Sequence, residues 1–380
     1  MIHYIDKLEI KDLEGKFVLA RFDLNAAITN GKVSNDFKLE KVIPTFDFLR
    51  QKRAKILAFS HISKDKGYDS LLPVFDYLNG FFPVKFCKDY FTPEAVAMVA
   101  DLKDGEVLLF ENIRKNPGED ENDMEFAKKL SAYGDIYLNE AFSESHRKQA
   151  SIVLLPSLLP HYGGLLFRQE VQNLSKVFRP ERPFIFILGG AKFDTKLPII
   201  KKYLEKADYV FVGGALANNF FGALGFELGT SIVSEGDFDL REMINNKKLI
   251  LPNDVTVTKP DGSVSFKIPD TVATDECIVD VGPKTIEQIK NLVSDAKTIL
   301  WNGPLGNYEI GFGDKTEQLA EIVAEATKNG AESIVGGGDT IASINKLGLA
   351  DSFSFISTGG GAMLDYLVDE TLVGIEALEK

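Results

Sequence analysis

Lys192 and Asp339 each stand beside a run of glycines, in GGAK (189–192) and GGGD (336–339). A cation, a carboxylate and backbone N–H groups stripped of side chains are the groups that handle phosphate. Lys196 follows Lys192 at i+4, so the two ammonium groups share one helix face. Asp339 precedes Thr340 at a helix start. It reads either as a helix cap or as a hard oxygen ligand for Mg²⁺ beside phosphate oxygens. A second set lies in the first half of the chain, where charged residues recur at the ends of apolar runs. These are Arg21, Asp23 and Asn25, then His61 and Lys64, then Arg114, then His146 and Arg147. Each alone reads as a rim salt bridge, but together they suit a small phosphorylated anion.

The elements that must position these residues follow one pattern. Five apolar runs break into a glycine turn followed by helix-type sequence: Phe184–Lys192, Tyr209–Leu216, Thr298–Gly306, Ser333–Thr340 and Ser354–Ala362. Runs of this kind read as strands buried on both faces. In the first half the strand candidates are Phe17–Asn25, Lys55–His61, Val84–Lys88, Val107–Arg114 and Ile136–Phe142. Between them lie amphipathic segments such as Leu39–Gln51, Leu71–Leu78 and Glu125–Ala132. The alternation predicts α/β architecture with parallel, doubly wound sheets, whose ligands lie beyond the carboxyl ends of the strands. Leu165–Val177 reads as a single helix between two such arrays, with Arg179–Pro183 completing a connector. The expected organisation is 1–164, a connector 165–183, a second domain 184–369 and a tail 370–380.

At 380 residues the chain suits two domains. A net charge of -13 argues against nucleic acid and anionic membranes as partners, so an anion site must concentrate its cations locally. No stretch approaches 18 uninterrupted apolar residues, and the first residues lack a signal-peptide pattern. The expectation is a soluble cytoplasmic protein. Cys87 and Cys277 are isolated, which points to neither a disulfide framework nor a zinc site. Walker A, GxGxxG, kinase HRD and GxSxG signatures are missing, GFGDKT (311–316) having Asp314 where the second glycine belongs.

Over nearly its full length the sequence resembles the phosphoglycerate kinase family. The match is carried by RFDLN (21–25), SHISK (60–64), LLFENIRKNPGE (108–119), EAFSESHRKQAS (140–151), ILGGAKFDTK (187–196) and LPNDV (251–255). It continues through DVGPKT (280–285), WNGPLGNYE (301–309), IVGGGDTIASINKLGLAD (334–351) and ISTGGGAMLDYL (356–367). The resemblance implies two Rossmann-like domains that close as a hinge, the first binding 3-phosphoglycerate and the second Mg-nucleotide. It implies reversible phosphoryl transfer between 1,3-bisphosphoglycerate and ADP, giving 3-phosphoglycerate and ATP.

The resemblance also implies roles. Asp23, Asn25, His61, Arg114 and Arg147 would hold the acid, with Arg21 in the same patch and Leu24, Lys38, Ile62, Ser63 and Lys64 beside it. Lys38, Lys192, Gly338 and Gly360 would serve the transfer. Lys196 would contact nucleotide phosphates, Asp339 would hold Mg²⁺, Thr340 would cap phosphates, Glu309 would bind ribose, and Asn302 would lie near the phosphates. Gly213, Gly214 and Gly282 would border adenine, while Gly337, Gly338 and Gly359–Gly361 would offer N–H groups. The tail would pack back on the first domain. A carboxylate nucleophile is already ionised at pH 7, so the scarcity of histidine is consistent with this chemistry.

Several residues depart from the family pattern. Lys38 and Lys64 stand where arginines are usual, keeping charge but losing the planar fork. Ser63 replaces a glycine, Leu24 a phenylalanine, Ala26-Ala27 a Val-Pro pair, Gln149 a second histidine and Phe355 a histidine. Asp194-Thr195 moves a carboxylate by one position. Three readings result: a retuned phosphoglycerate kinase, a nucleotide-binding homologue with weak or no catalysis, or a kinase for another phosphorylated carboxylic acid.

Overall fold

The computed structural model describes residues 1–63, 68–236 and 238–380. Lys64 lies outside the described residues. The chain divides into two compact units, Met1–Gln172 with Asp369–Lys380, and Asn173–Val368. The boundary falls within the helix Leu165–Ser175.

The first unit is built on a six-stranded parallel sheet of β1 (Phe17–Phe22), β2 (Lys55–Phe59), β3 (Val84–Cys87), β4 (Val107–Phe110), β5 (Ile136–Glu140) and β6 (His161–Gly163). Their order is β3-β4-β2-β1-β5-β6. Most of these residues are apolar and buried, as expected for a sheet covered on both faces. The helix Phe37–Gln51 covers part of the sheet with Leu39, Val42, Phe46 and Leu49, all fully buried. Phe46 stacks on Phe22 of β1 at 4.1 Å. Each such side chain is worth about 1.5–3 kcal/mol of burial. A hairpin of Ala27–Thr29 and Lys32–Asn35 turns through Asn30-Gly31, both at positive φ, which is the tight turn that this dipeptide favours.

The strands are shorter than their apolar runs. β1 ends at Phe22, so Asp23 and Asn25 belong to the following loop and not to one face of a strand. β4 ends at Phe110, and Ile113–Lys115 is a 3₁₀ turn that carries Arg114. In each case polar side chains take over the backbone partners that the ladder would have supplied: Asn25 N–H donates to Asp23 Oδ1, and Arg114 N–H to Asn112 Oδ1.

At the end of β5 the buried Glu140 carboxylate accepts the N–H groups of Leu166 and Phe167, capping the first turn of Leu165–Ser175. A Cβ at Gly164 would fall 1.9 Å from Glu140 Oε2, so the approach requires glycine. The segment after the second unit returns to this one as the helix Val373–Leu378. Gly374 N–H donates to Ser145 O at 2.8 Å, and a Cβ there would lie 2.6 Å from Ser145 Cβ.

The second unit has its own six-stranded parallel sheet, of β7 (Phe184–Leu188), β8 (Tyr209–Val212), β9 (Leu249–Ile250), β10 (Thr298–Asn302), β11 (Glu332–Gly336) and β12 (Phe355–Ile356). Their order is β9-β8-β7-β10-β11-β12. All five glycine-ended runs are therefore parallel strands of one sheet. Phe193–Lys206, Gly214–Ala223, Asp314–Lys328, Gly338–Lys346 and Gly361–Asp369 are the helices that follow them. A separate antiparallel sheet of Val255–Thr258, Val264–Lys267 and Cys277–Val281 is an addition that the alternation did not foretell. No helix among the described residues is long and apolar enough to cross a membrane.

Both sheets reverse their strand order beside a central strand, between β1 and β5 in the first and between β7 and β10 in the second. Open parallel sheets bind ligands at the carboxyl side of such a reversal, where the loops on either side diverge.

Candidate active site

At the β1/β5 reversal the first unit gathers cations around buried acids. Arg21, at the end of β1, is fully buried. It donates through Nε to Ser151 Oγ at 3.0 Å and through Nη1 to Phe22 O at 2.7 Å. Its Nη2 lies 4.0 Å from Glu119 Oε1 and 3.4 Å from His61 Nδ1. A guanidinium only donates, so Nδ1 accepts and the ring proton of neutral His61 sits on Nε2. Burial holds His61 well below the ordinary histidine range, and the Arg21 charge adds to the effect. The proton-bearing Nε2 is 3.4 Å from Glu144 Oε1. Arg21 thus backs His61 from inside the protein.

Glu144 is also the partner of Arg114, whose Nη2 lies 2.6 Å from Oε2, and of Arg147, whose Nε lies 3.3 Å from it. His61, Arg114 and Arg147 are therefore brought together around one carboxylate. Asp23, the next acid, accepts from Lys38 Nζ at 2.6 Å and from Ser143 Oγ. Burial alone would raise the Asp23 carboxyl, but Lys38 outweighs it and holds the group well below the usual range. Burial likewise opposes the Lys38 ammonium, and Asp23 raises it regardless. Asn25 is tied to Ser63 by two hydrogen bonds of 3.1 Å, while Leu24 and Ile62 are buried apolar neighbours in sequence. Leu24 N–H donates to Ser60 Oγ at 2.8 Å. Gln149 donates to Asp120 at 2.6 Å.

At the β7/β10 reversal of the second unit two turns interlock. Gly189 N–H donates to Asn302 O, and Gly190 N–H to Pro304 O, each at 2.9 Å. A Cβ at Gly189 would stand 2.1 Å from Pro304 O, so one glycine turn is required by the other. The Trp301 indole, fully buried, donates to Gly303 O and fixes the second turn. Gly338 differs: a Cβ there would meet nothing within 4 Å, and its φ is not positive. No packing among the described residues explains that glycine. It stands at the first residue of the helix Gly338–Lys346, where a backbone without a side chain leaves room for close approach. Gly360 has φ +54° and open space around it, and Gly359 N–H is bonded to Ser357 Oγ.

Between these turns and the antiparallel sheet lies a pocket. Its apolar wall includes Ala217, Phe221, Val255 and Leu305, and its polar groups include Asp280, Glu309 and Asp339. Of the predicted nucleotide residues, Gly214, Glu309 and Asp339 line it. Lys192, Lys196, Asn302, Gly337, Gly338 and Thr340 belong to the turns and helix starts nearby in sequence. Gly213 and Gly282 are not among the lining residues, and a Cβ at Gly282 would stand 2.3 Å from the Asp254 carboxylate. That carboxylate caps the helix Pro283–Val293 through Lys284 and Thr285 N–H, which is reason enough for glycine at 282.

Lys196 Nζ donates to Gly189 O at 2.6 Å. Burial depresses the ammonium to about 8, with Asp339 opposing and Lys192 reinforcing the shift. Lys192 itself is exposed at the N-cap of Phe193–Lys206. Asp339 is exposed in the first turn of its helix, and the Thr340 hydroxyl is buried with no hydrogen-bond partner among the described residues. An orphan hydroxyl beside an open carboxylate suits a phosphate oxygen and its cation. No group of three or more His, Cys, Asp or Glu side chains among the described residues is placed to hold a metal ion.

The sequence reading assigned no role to Glu144, Ser143, Glu119 or Asp280. Glu144 and Ser143 lie in the quoted stretch EAFSESHR, where an acid three residues before Arg147 was the available signal. Burial pushes Asp280 up to about 7, although its carboxylate accepts Val281 N–H at 2.8 Å.

Two doubly wound sheets, one gathering cations and the other glycine turns at its strand-order reversal, define an α/β protein of two parallel sheets. The phosphoglycerate kinase family model matches residues 6–370. The chain is 41% identical to a phosphoglycerate kinase of Dictyoglomus turgidum, over 98% of both chains. It is 39% identical to that of Orientia tsutsugamushi, over 96% of this chain and 95% of the relative. The solved phosphoglycerate kinase of Coxiella burnetii superposes with a TM-score of 0.84 at 34% identity, covering 100% of this chain and 99% of that one. The Pyrococcus horikoshii structure gives 0.86 at 29% identity, covering 100% and 98%. The chain belongs to the phosphoglycerate kinase family and is a kinase.

Proposed function

We propose that the chain transfers a phosphoryl group reversibly between 1,3-bisphosphoglycerate and ADP, as a retuned member of its family. The observation that carries the reading is the convergence of His61, Arg114 and Arg147 at the β1/β5 reversal. Three donors around one anion position suit a three-carbon acid that carries both carboxylate and phosphate. His61, neutral with its proton on Nε2, would donate to the acid without adding charge. Arg114 and Arg147 would hold its anionic ends, with Asn25, Ser63 and Lys64 completing the site.

On the nucleotide side Gly214 would border the base and Glu309 would accept from ribose hydroxyls. Lys196, with the N–H groups of Gly337 and Gly338 and the Thr340 hydroxyl, would hold the phosphates. Asp339 would bind Mg²⁺, which when present supplies charge neutralisation at the phosphate oxygens. Lys192, Lys38 and the Gly338 and Gly360 N–H groups would oppose charge on the equatorial oxygens in transfer, which the reading couples to hinge closure. The acid carboxylate needs no general base, so positioning and electrostatics suffice. As in its family, the protein would act as a monomer in the cytoplasm.

One observation favours the weaker-catalyst reading. Lys38 spends its ammonium on Asp23 at 2.6 Å, where a fork could serve two partners. A coupled assay with ATP and 3-phosphoglycerate decides between them. Turnover above background supports the kinase reading, and nucleotide binding without turnover overturns it.

The Lys196 ammonium gives a pH test. It is charged below about 8 and loses its proton above that value, against 10.5 for an ordinary lysine. Phosphate favours the charged form, so binding above pH 8 must draw in a proton and affinity must fall as pH rises. Calorimetry with ADP at pH 8.5, in buffers of different ionisation enthalpy, is expected to show proton uptake. Lys196→Met should abolish the uptake; equal uptake in both proteins would assign it to another group.

A further inference from the structure

We propose that Glu144 is a built-in counter-anion of the acid site, which the substrate must displace, and that it thereby sets the affinity and charge selectivity of that site. The inference rests on reading this cluster as the acid-binding site. Its side chain is nine-tenths buried, at 9% exposure. One carboxylate meets all three donors: His61 Nε2 at 3.4 Å, Arg114 Nη2 at 2.6 Å and Arg147 Nε at 3.3 Å. These are the three groups through which the acid would be held. Asp120 approaches Arg114 alone, at 3.6 Å.

The carboxylate is presented by a fixed turn. Phe142–Glu144 is a 3₁₀ turn in which Glu144 N–H donates to Ala141 O, and Ser145 Oγ donates to the same carbonyl. Ser145 O in turn accepts from Gly374 N–H. The backbone on both sides of Glu144 is thus committed, and the side chain is the part free to yield.

The physical reason for an internal anion is that two guanidinium groups close together repel each other, and one of them, Arg114, is only 19% exposed and has little solvent to compensate it. Glu144 compensates them when no ligand is bound. An incoming anion then faces a like charge already in possession of its donors. A phosphorylated carboxylic acid, with two anionic groups, can outbid one carboxylate. A singly charged acid such as glycerate offers no more than Glu144 already provides and is turned away. The residue acts as a threshold on ligand charge.

Removing the charge while keeping the shape tests this. Glu144→Gln should bind 3-phosphoglycerate and inorganic phosphate about tenfold more tightly, the scale of one charge-assisted contact. Glycerate should become a measurable ligand, and ATP affinity should stay unchanged. Titration calorimetry on the full chain reads all four. If Glu144 instead serves as a strut that keeps the cations in place, phosphate binding weakens or stays level in E144Q, and the proposal is overturned. Should a melting curve show that E144Q loses the fold of the first unit, Glu144→Ser offers the same comparison with a smaller neutral side chain. Wild-type protein that binds inorganic phosphate but neither binds nor turns over 3-phosphoglycerate would sink the proposed function alone. Tighter phosphate binding in E144Q would then still support the counter-anion.

Discussion

Lys192→Met is expected to lower kcat by about 10²–10³-fold, the usual loss when one preorganised donor to a transition state is removed. The KM for ATP should change little, because Lys196, the Thr340 hydroxyl and the glycine N–H groups would still hold the ground-state phosphates. The split is predictable from the local structure. Lys192 caps its helix through backbone geometry alone, with no side-chain cap bond, and is exposed. No ion pair or hydrogen bond involves its ammonium among the described residues, and an exposed residue of that kind changes stability by no more than about 0.5 kcal/mol. The loss should therefore be kinetic and not a folding defect. Steady-state rates with both substrates varied, beside a melting curve, give the answer. A kcat within error of wild type would remove Lys192 from the transfer step.

The second large effect runs the other way. Lys38→Arg is expected to raise kcat/KM for 3-phosphoglycerate by about ten- to a hundredfold, the rate equivalent of one additional charge-assisted hydrogen bond of about 1.5–3 kcal/mol. Lys38 is one-third exposed at its side chain and spends its ammonium on Asp23 at 2.6 Å. A guanidinium in that place can keep Asp23 with one nitrogen and present others outward. Asp23 is also held by Ser143, so its place does not depend on the lysine alone. An unchanged or lowered kcat/KM would mean that the pocket is built around lysine, and would strengthen the weak-catalyst reading.

What the sequence made legible follows from the physics of a parallel sheet. Strands buried on both faces must be apolar throughout, so β7, β8, β10 and β11 stand out as runs ending in glycine. The turn residues that interlock at Gly189 and Gly303 were visible for the same reason. The cation cluster of the first unit was legible only in part. His61, Arg114 and Arg147 sit where strand ends predicted charge, but their common partner Glu144 has no periodic signature. Only the fold brings it from the end of β5 to groups following β2 and β4. Arg21 looked like a site cation because it stands near the end of β1, yet its contacts among the described residues are internal, and its influence passes through the tautomer of His61. The antiparallel sheet beside the second unit's pocket was missed because Val264–Lys267 is largely exposed and gives no buried run.

The return of Val373–Leu378 to the first unit bears on how the protein is made. Ile375 and Leu378 are buried there, worth together about 3–6 kcal/mol, a large share of the 5–15 kcal/mol that holds an ordinary domain folded. Chains emerge from the ribosome N-terminus first, and domains fold as they emerge. Here all of Asn173–Val368 must be synthesised before the closing helix of the first unit exists. The turn that carries Glu144 gains its Gly374 backing only then.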